Sequence, residues 1–387
     1  MSVTAAKGFV ASGVHAAIRR EKKDVALVYS TAPAVGAAMF SRNKVQAACL
    51  QVNRAHLDVA DPHAVVINSG VANSATGELG LANAKRTATH AAGLLGVAPE
   101  QVLVLSTGVI GVQLPMDKLL PGVDDAVAAL SAGGGDDAAV AIMTTDTKPK
   151  QTVVSGGGFT VGGMAKGAGM IHPDLATMLA IFTTDYPLES GEVIDFLRPA
   201  VDKTFNAISI DGDCSTNDTV LLLANGASQI DRTPATDEAF AAALLAACED
   251  LSRQIVADGE GVTVLAEIQV DGAVDQEQAK AIARRIATSP LVKTALFGHD
   301  ANWGRVLMAA GSAPFNGSYA DVDAARATLR YNDTVVLQSG TPTNVEPDVS
   351  GTVCTIALDL GLGDGCASYL TSDLSYDYVK INADYRT

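Results

Sequence analysis

The chain has 387 residues, too many for one small domain and suited to one large domain or two medium ones. Its formal net charge of −16 argues against nucleic acid or an anionic membrane as the main partner. With 48% apolar and only 18% charged residues, global disorder is excluded and a large core is implied, built from Ala, Val and Gly more than from aromatics.

The N-terminal 24 residues lack the basic-then-apolar layout of a secretory leader. Strand-like runs follow at 25–29, 65–68 and 102–105, each short, branched or Leu-rich, and bounded by Gly, Asn or Asp. A helix is predicted over 83–95, behind a good capping residue. Residues 131–137 (SAGGGDD) read as a loop, and Gly156 to Gly158 as a hairpin turn joining 151–154 to 159–161. A buried strand is predicted over 178–182 and another over 220–223. Helices are predicted over 236–257 and 275–287, then a loop at 313–317 (APFNG). Strands at 263–270, 334–337 and 353–358 complete an α+β pattern, with strands and helices in separate layers. A domain boundary near the middle would suit the length, but composition does not mark one. No apolar run reaches the ~18 residues that span a bilayer. The five cysteines and six histidines are scattered without zinc-ligand spacing, so a reduced, cytoplasmic chain without a metal is expected.

Chemistry concentrates in 162–185, GGMAKGAGMIHPDLATMLAIFTTD. A phosphate-binding P-loop fails there, because Lys166 sits in Ala-Lys-Gly and no Ser or Thr follows it. A dinucleotide fingerprint fails because the third glycine is missing. On spacing alone the segment reads as a glycine-rich turn feeding a buried strand. Its layout also permits an activated threonine. Cleavage between Ala176 and Thr177 would free an α-amine to act as base for the Thr177 hydroxyl. In 102–111, VLVLSTGVIG, an apolar strand runs into Ser106-Thr107-Gly108. That is either an ordinary strand-to-turn junction or a hydroxyl and an N–H aimed at one oxyanion. Asp258-Gly259-Glu260-Gly261 is either a solvated helix-end loop or a corner exposing Glu260 to a ligand ammonium.

Nine segments then occur in order: STAPAVGAAMFSRN (30–43), NSGVANSATG (68–77), STGVIGVQLPM (106–116), AIMTTDTKPK (141–150), KGAGMIHPDLATML (166–179), TFNAISIDGDCSTND (204–218), DGEG (258–261), SPLVKTALFGHDANWGR (289–305) and NADYRT (382–387). Together they resemble the ornithine acetyltransferase (glutamate N-acetyltransferase, ArgJ) family of arginine biosynthesis, over nearly the whole chain. The resemblance implies a layered α/β sandwich akin to N-terminal-nucleophile hydrolases. It implies self-cleavage at Ala176–Thr177 into an α chain (1–176) and a β chain (177–387) forming one intertwined catalytic unit, paired into α2β2 or larger.

The reaction implied moves acetyl from N2-acetyl-L-ornithine to L-glutamate through an ester on Thr177, with Thr107 and Gly108 as oxyanion donors. Thr144, Lys166, Glu260, Asn382 and Thr387 line the substrate pocket by the same resemblance. Lys166 suits a carboxylate, Glu260 suits the ornithine δ-ammonium, and an ordered C-terminus is expected. No cofactor is implied; acetyl-CoA stands open as a second acetyl donor. A self-processing amidase or aminopeptidase, and a secondary-metabolite paralogue with the same chemistry, are the alternative readings. Two departures stand out. Ser74-Ala75 replaces the Ala-Cys of many relatives, and Val262-Thr263-Val264 replaces Ala-Thr-Lys, removing a basic residue near Glu260.

Overall fold

The computed structural model describes residues 2–172 and 178–384. The chain forms two compact units. The first holds most of residues 2–206 and 213–255, the second 207–212 and 256–384.

In the first unit β1 (Phe9–Val14), β2 (Val25–Ser30), β3 (Val35–Phe40), α1 (Ala48–Leu57), β4 (Ala64–Val71), α2 (Gly77–Leu95) and β5 (Val102–Val109) come first. Then follow α3 (Met116–Ala128), α4 (Gly135–Ala141), β6 (Lys150–Gly156), β7 (Phe159–Lys166), β8 (Leu179–Thr184) and α5 (Val193–Lys203). After β9 (Ile208–Ser209), which belongs to the second unit, come β10 (Thr219–Ala224) and α6 (Pro234–Ala257).

Two sheets result, in orders β1-β2-β4-β5 and β3-β10-β8-β7-β6. The near-continuous apolar runs in the sequence are explained by burial on both faces. Val25, Leu27, Ala64, Val66, Val102 and Val104 face helices α1–α3. Their alternating neighbours Ala26, Val28, Val65, Ile67, Leu103 and Leu105 meet Met164, Leu179, Ile181, Leu221 and Leu223 of the second sheet. On that sheet's other side lie α5 and α6, with Phe240 stacked on Tyr186 at 4.6 Å. The unit is thus a helix–sheet–sheet–helix sandwich. Each fully buried Leu, Ile or Val contributes roughly 1.5–3 kcal/mol. Truncating Leu105 to Ala, which sits between the sheets, costs about 2–5 kcal/mol. The alanine excess also has a place: Ala84, Ala88, Ala91 and Ala92 of α2 let it lie close on the first sheet.

The second sheet carries strands from both sides of 176/177. β8 and β10 sit between β3 and β7, with β10 antiparallel to β3 and parallel to β8. The predicted β6–β7 hairpin is present, turning at Gly157 and Gly158 with φ of +62° and +87°, the left-handed pair a tight two-residue turn requires. The predicted 131–137 loop is shorter than expected. Helix α4 begins at Gly135, with Asp136 and Asp137 in its first turn favouring the positive helix end.

In the second unit β11 (Leu265–Ala273) is followed by α7 (Gln276–Ala287), α8 (Pro290–Phe297) and α9 (Trp303–Ala310). The short pairs β12 (Pro314–Phe315) with β13 (Ser318–Tyr319), and β14 (Thr328–Tyr331) with β15 (Thr334–Gln338), come next. The 313–317 segment therefore contains the turn of a small hairpin. β16 (Thr341–Pro342), β17 (Val353–Asp359), β18 (Gly365–Ser372) and α10 (Tyr376–Asp384) complete the described chain. The sheet runs β16-β15-β14-β17-β11-β18-β9. Along β17, Cys354, Ile356 and Leu358 are buried while Val353 and Asp359 are exposed: one face meets α7 and α9. Asp275 caps α7 by accepting from the Gln278 N–H at 2.8 Å.

Candidate active site

The strand through Thr107 runs further than the sequence suggests. β5 continues to Val109, with Ser69 opposite Thr107 and Gly70 opposite Gly108. The pairing then slips at Gly70/Val71, a bulge that takes the place of the predicted turn. Gly108 has φ +132°, and a Cβ there would lie 2.2 Å from the Gly70 carbonyl carbon. Only glycine fits both the conformation and the approach. Below the bulge, Asn217 Nδ2 donates to Ser106 O at 2.8 Å and to Ala72 O at 2.6 Å, and Ser106 Oγ donates to Asn68 Oδ1 at 2.7 Å. Thr107 is therefore held on a braced backbone.

Lys166 is the last residue of β7, paired with Leu179 at the start of β8. It is 2% exposed, and Nζ donates to Thr107 Oγ1 at 3.3 Å. An ammonium has only donors, so the Thr107 oxygen accepts and its own O–H proton is directed elsewhere. The arrangement polarises that hydroxyl and leaves it a better donor to a developing oxyanion.

Asp146 ties Thr144 to this corner. Its Oδ2 accepts from the Thr144 N–H at 2.9 Å, and Oδ1 accepts from Lys150 Nζ at 2.6 Å and the Gly167 N–H at 2.7 Å. Burial alone would raise its pKa. The Lys166 and Lys150 ammoniums, with the Gly167 N–H, outweigh that and hold the carboxyl at about 2. Arg19 closes the other side, donating to Met143 O at 2.6 Å and Thr144 O at 3.2 Å. Asp218 accepts from the N–H of Met178, the residue after Thr177, at 2.9 Å. Full burial pushes its carboxyl well above the ordinary range, against the Met178 N–H and the Lys166 charge.

Asp146, Asp218 and Arg19 were not singled out by sequence reasoning. A signal existed for two of them. Asp146 has a lysine four residues on, and Asp218 stands directly before a mostly apolar strand, where an acid must have partners.

In the second unit, residues 258–261 join α6 to β11, as predicted. Glu260 is no solvated cap: it is 8% exposed, and Oε2 accepts from Asn382 Nδ2 at 2.8 Å. The Asn382 amide also donates to Tyr378 O at 3.1 Å, which fixes its side chain on α10. Ser375 Oγ donates to Gly261 O at 2.6 Å, anchoring the start of the same helix to the loop. Val264 is buried in the core, and its N–H donates to Asp373 Oδ1 at 3.0 Å.

The structure thus brings Thr107 and Gly108 of one sheet together with Lys166 of the other, with Thr144 joined to them through Asp146. It pairs Glu260 with Asn382. Ala176, Thr177 and Thr387 lie outside the described residues. All five cysteines are free, and burial pushes the thiols of Cys49 and Cys354 up to about 11, so neither is a neutral-pH nucleophile. Among the described residues no cluster of His, Cys, Asp or Glu could hold a metal ion, and no helix is long and apolar enough to cross a membrane.

Comparison with known proteins agrees with the motif pattern. The ArgJ family profile matches residues 10–387. The arginine biosynthesis bifunctional protein ArgJ of Geobacter sulfurreducens is 45% identical over 98% of this chain and 99% of its own. That of Mycolicibacterium paratuberculosis is 48% identical over 99% of this chain and 96% of its own. A solved structure of ornithine acetyltransferase complexed with ornithine, from Mycobacterium tuberculosis, is 45% identical with a TM-score of 0.43, covering 44% of this chain and 94% of that one. With a profile match across nearly its whole length and full-length relatives above 40% identity, the chain belongs to the ArgJ family.

Proposed function

We propose that this protein cleaves itself between Ala176 and Thr177 and then transfers acetyl from N2-acetyl-L-ornithine to L-glutamate. The observation that carries the reading is the buried Lys166–Thr107 contact, with Lys166 paired to Leu179, two residues beyond Thr177.

Thr177 Oγ attacks the acetyl carbonyl, and its proton passes to the residue's own α-amine. The Thr107 O–H and the Gly108 N–H take the oxyanion. Collapse breaks the C–N bond, and the α-ammonium returns a proton to the departing ornithine amine. The glutamate amine then attacks the ester, releasing N-acetylglutamate and restoring the Thr177 hydroxyl. Lys166 holds the α-carboxylate common to both substrates. Glu260, oriented by Asn382, takes the ornithine δ-ammonium. Thr144 and Thr387 supply further hydrogen bonds. Acetyl-CoA serves as a second donor, consistent with relatives named bifunctional. The two fragments stay associated, because β8 and β10 are hydrogen-bonded among strands that precede the cleavage point. We assign the cleaved enzyme to the cytoplasm, as α2β2 or larger.

Denaturing electrophoresis tests the first step: two fragments, 1–176 and 177–387, are expected from wild type and one intact chain from Thr177→Ala. Cleavage in that variant removes Thr177 from the mechanism. Acetylornithine consumption that is as fast without glutamate as with it makes water the acceptor and the protein a hydrolase.

A further inference from the structure

A local patch of positive charge stands out on a chain of net charge −16. A depression of about 530 Å³ is lined by Ser41, Arg42, Asn43, Lys44, Gln46 and Arg54. Three of the six are cationic, and no carboxylate is among them. Lys44 and Arg54 have no ion-pair partner among the described residues. On an acidic surface, anions are repelled everywhere except where cations are gathered, so such a patch is selective for negative ligands.

The patch is built rather than loose. Asn43 Nδ2 donates to Cys214 O at 2.8 Å, Ser41 Oγ to Ser215 O at 2.5 Å, and Gln46 Nε2 to Ser41 O at 2.9 Å. The Val45 N–H donates to Asn43 Oδ1 at 2.9 Å. These bonds set the backbone that presents Arg42 and Lys44. The Arg54 guanidinium lies over the Phe40 ring, 4.7 Å from its centroid, which leaves its N–H edge free for a planar or tetrahedral anion.

Its position relates it to the chemistry. Phe40 on β3, Thr219 on β10 and Leu179 on β8 lie in one row across the sheet. One residue further along, the Ser41 N–H donates to Asp218 O at 3.0 Å, and Asp218 Oδ1 accepts from the Met178 N–H. The depression is therefore two strand spacings, ~10 Å, from the residue that follows Thr177.

We propose that this depression binds the phosphate groups of acetyl-CoA. The proposal rests on the acetyl-transfer reading and adds the site of the second donor. Pantoate, β-alanine and cysteamine put about thirteen bonds between the nearer phosphorus and the thioester sulfur, on the order of 15 Å when extended. That length exceeds the ~10 Å from the depression to the row of Met178, so a partly folded arm covers the span. Acetylornithine carries no phosphate and has no use for the patch.

The test compares wild type, Lys44→Ala, Arg54→Gln and the double variant with three donors: acetyl-CoA, acetyl-pantetheine and N2-acetylornithine, each with glutamate. The KM for acetyl-CoA is expected to rise about tenfold in each single variant, as for one charge-assisted hydrogen bond lost. The KM for acetyl-pantetheine, which lacks the phosphates, and the rate with acetylornithine should stay within about twofold, the latter also showing that the variants fold. An unchanged acetyl-CoA KM in the double variant overturns the proposal. So does a parallel rise with acetyl-pantetheine, or a rise in the KM for glutamate with every donor, which would make the patch an acceptor site. If wild type uses acetylornithine but not acetyl-CoA, the proposal falls and the transfer reading stands. If it uses neither, both fall.

Discussion

The Lys166 ammonium donates to the Thr107 hydroxyl oxygen at 3.3 Å, with both side chains buried and on different sheets of the sandwich. One ammonium thus touches the proposed oxyanion donor and, through its charge, holds Asp146 ionised.

Thr107→Val keeps the shape and removes the donor. The acetylornithine:glutamate rate should fall on the order of 10²–10³-fold in kcat with little change in KM. Lys166→Met should raise the KM for both substrates as well, because both carry the α-carboxylate. Steady-state kinetics on folded, cleaved protein separate the two patterns.

The Asp146–Lys150 pair should govern acid stability in the first unit. The Asp146 pKa in the fold, about 2, lies below the ordinary 3.8. Its contribution is therefore present above the unfolded value and is lost as pH falls through about 2. A shift of this size corresponds to about 2 kcal/mol. Asp146→Asn leaves Lys150 buried beside a neutral partner and should cost about 3–5 kcal/mol at neutral pH. It should also flatten the acid limb of the stability curve. Urea titrations of both proteins from pH 2 to 7 check this.

Glu260→Gln keeps an acceptor for Asn382 but removes the charge. The KM for acetylornithine should rise about tenfold or more, and that for glutamate should not, since only ornithine carries the second ammonium. Asn382→Ala should shift the same constant in the same direction by less, because it orients Glu260 without carrying its charge. Equal effects on both substrates would sink the assignment.

Lys293 in the second unit predicts an alkaline effect. It is 4% exposed, donates to Thr371 Oγ1 at 3.1 Å and to Ser372 Oγ at 3.2 Å, and burial pushes its pKa down to about 8 despite Asp373 and Asp211. The folded value lies below the ordinary 10.5, so the folded chain binds fewer protons between the two. Stability from this group should rise by about 3 kcal/mol as pH climbs from 8 towards 10.5. Lys293→Met should abolish that slope, read as the difference between the two proteins' stability curves.

Much of the architecture was legible in the residues alone. The apolar runs at 25–29, 65–68, 102–105 and 220–223 are strands because they are buried on both faces and bounded by turn formers. The helix at Gln276–Ala287 was readable from its capping aspartate and apolar spacing. Helices α3 and α5 were not, and each contains an internal proline, Pro121 and Pro199, that masks a helical pattern.

The sequence by itself determined family membership, through nine ordered motifs, and the residue types available for acyl transfer. What only the tertiary structure decided is which of them meet. That Lys166 lies against Thr107, that Asp146 joins Thr144 to Gly167, and that Asn382 reaches Glu260 across 122 residues are facts of strand order and register. Local spacing carries no information on these pairings. They follow from which sheet each apolar run joins and where its pairing slips, as at Gly70 and Gly108, and burial of the whole core settles that.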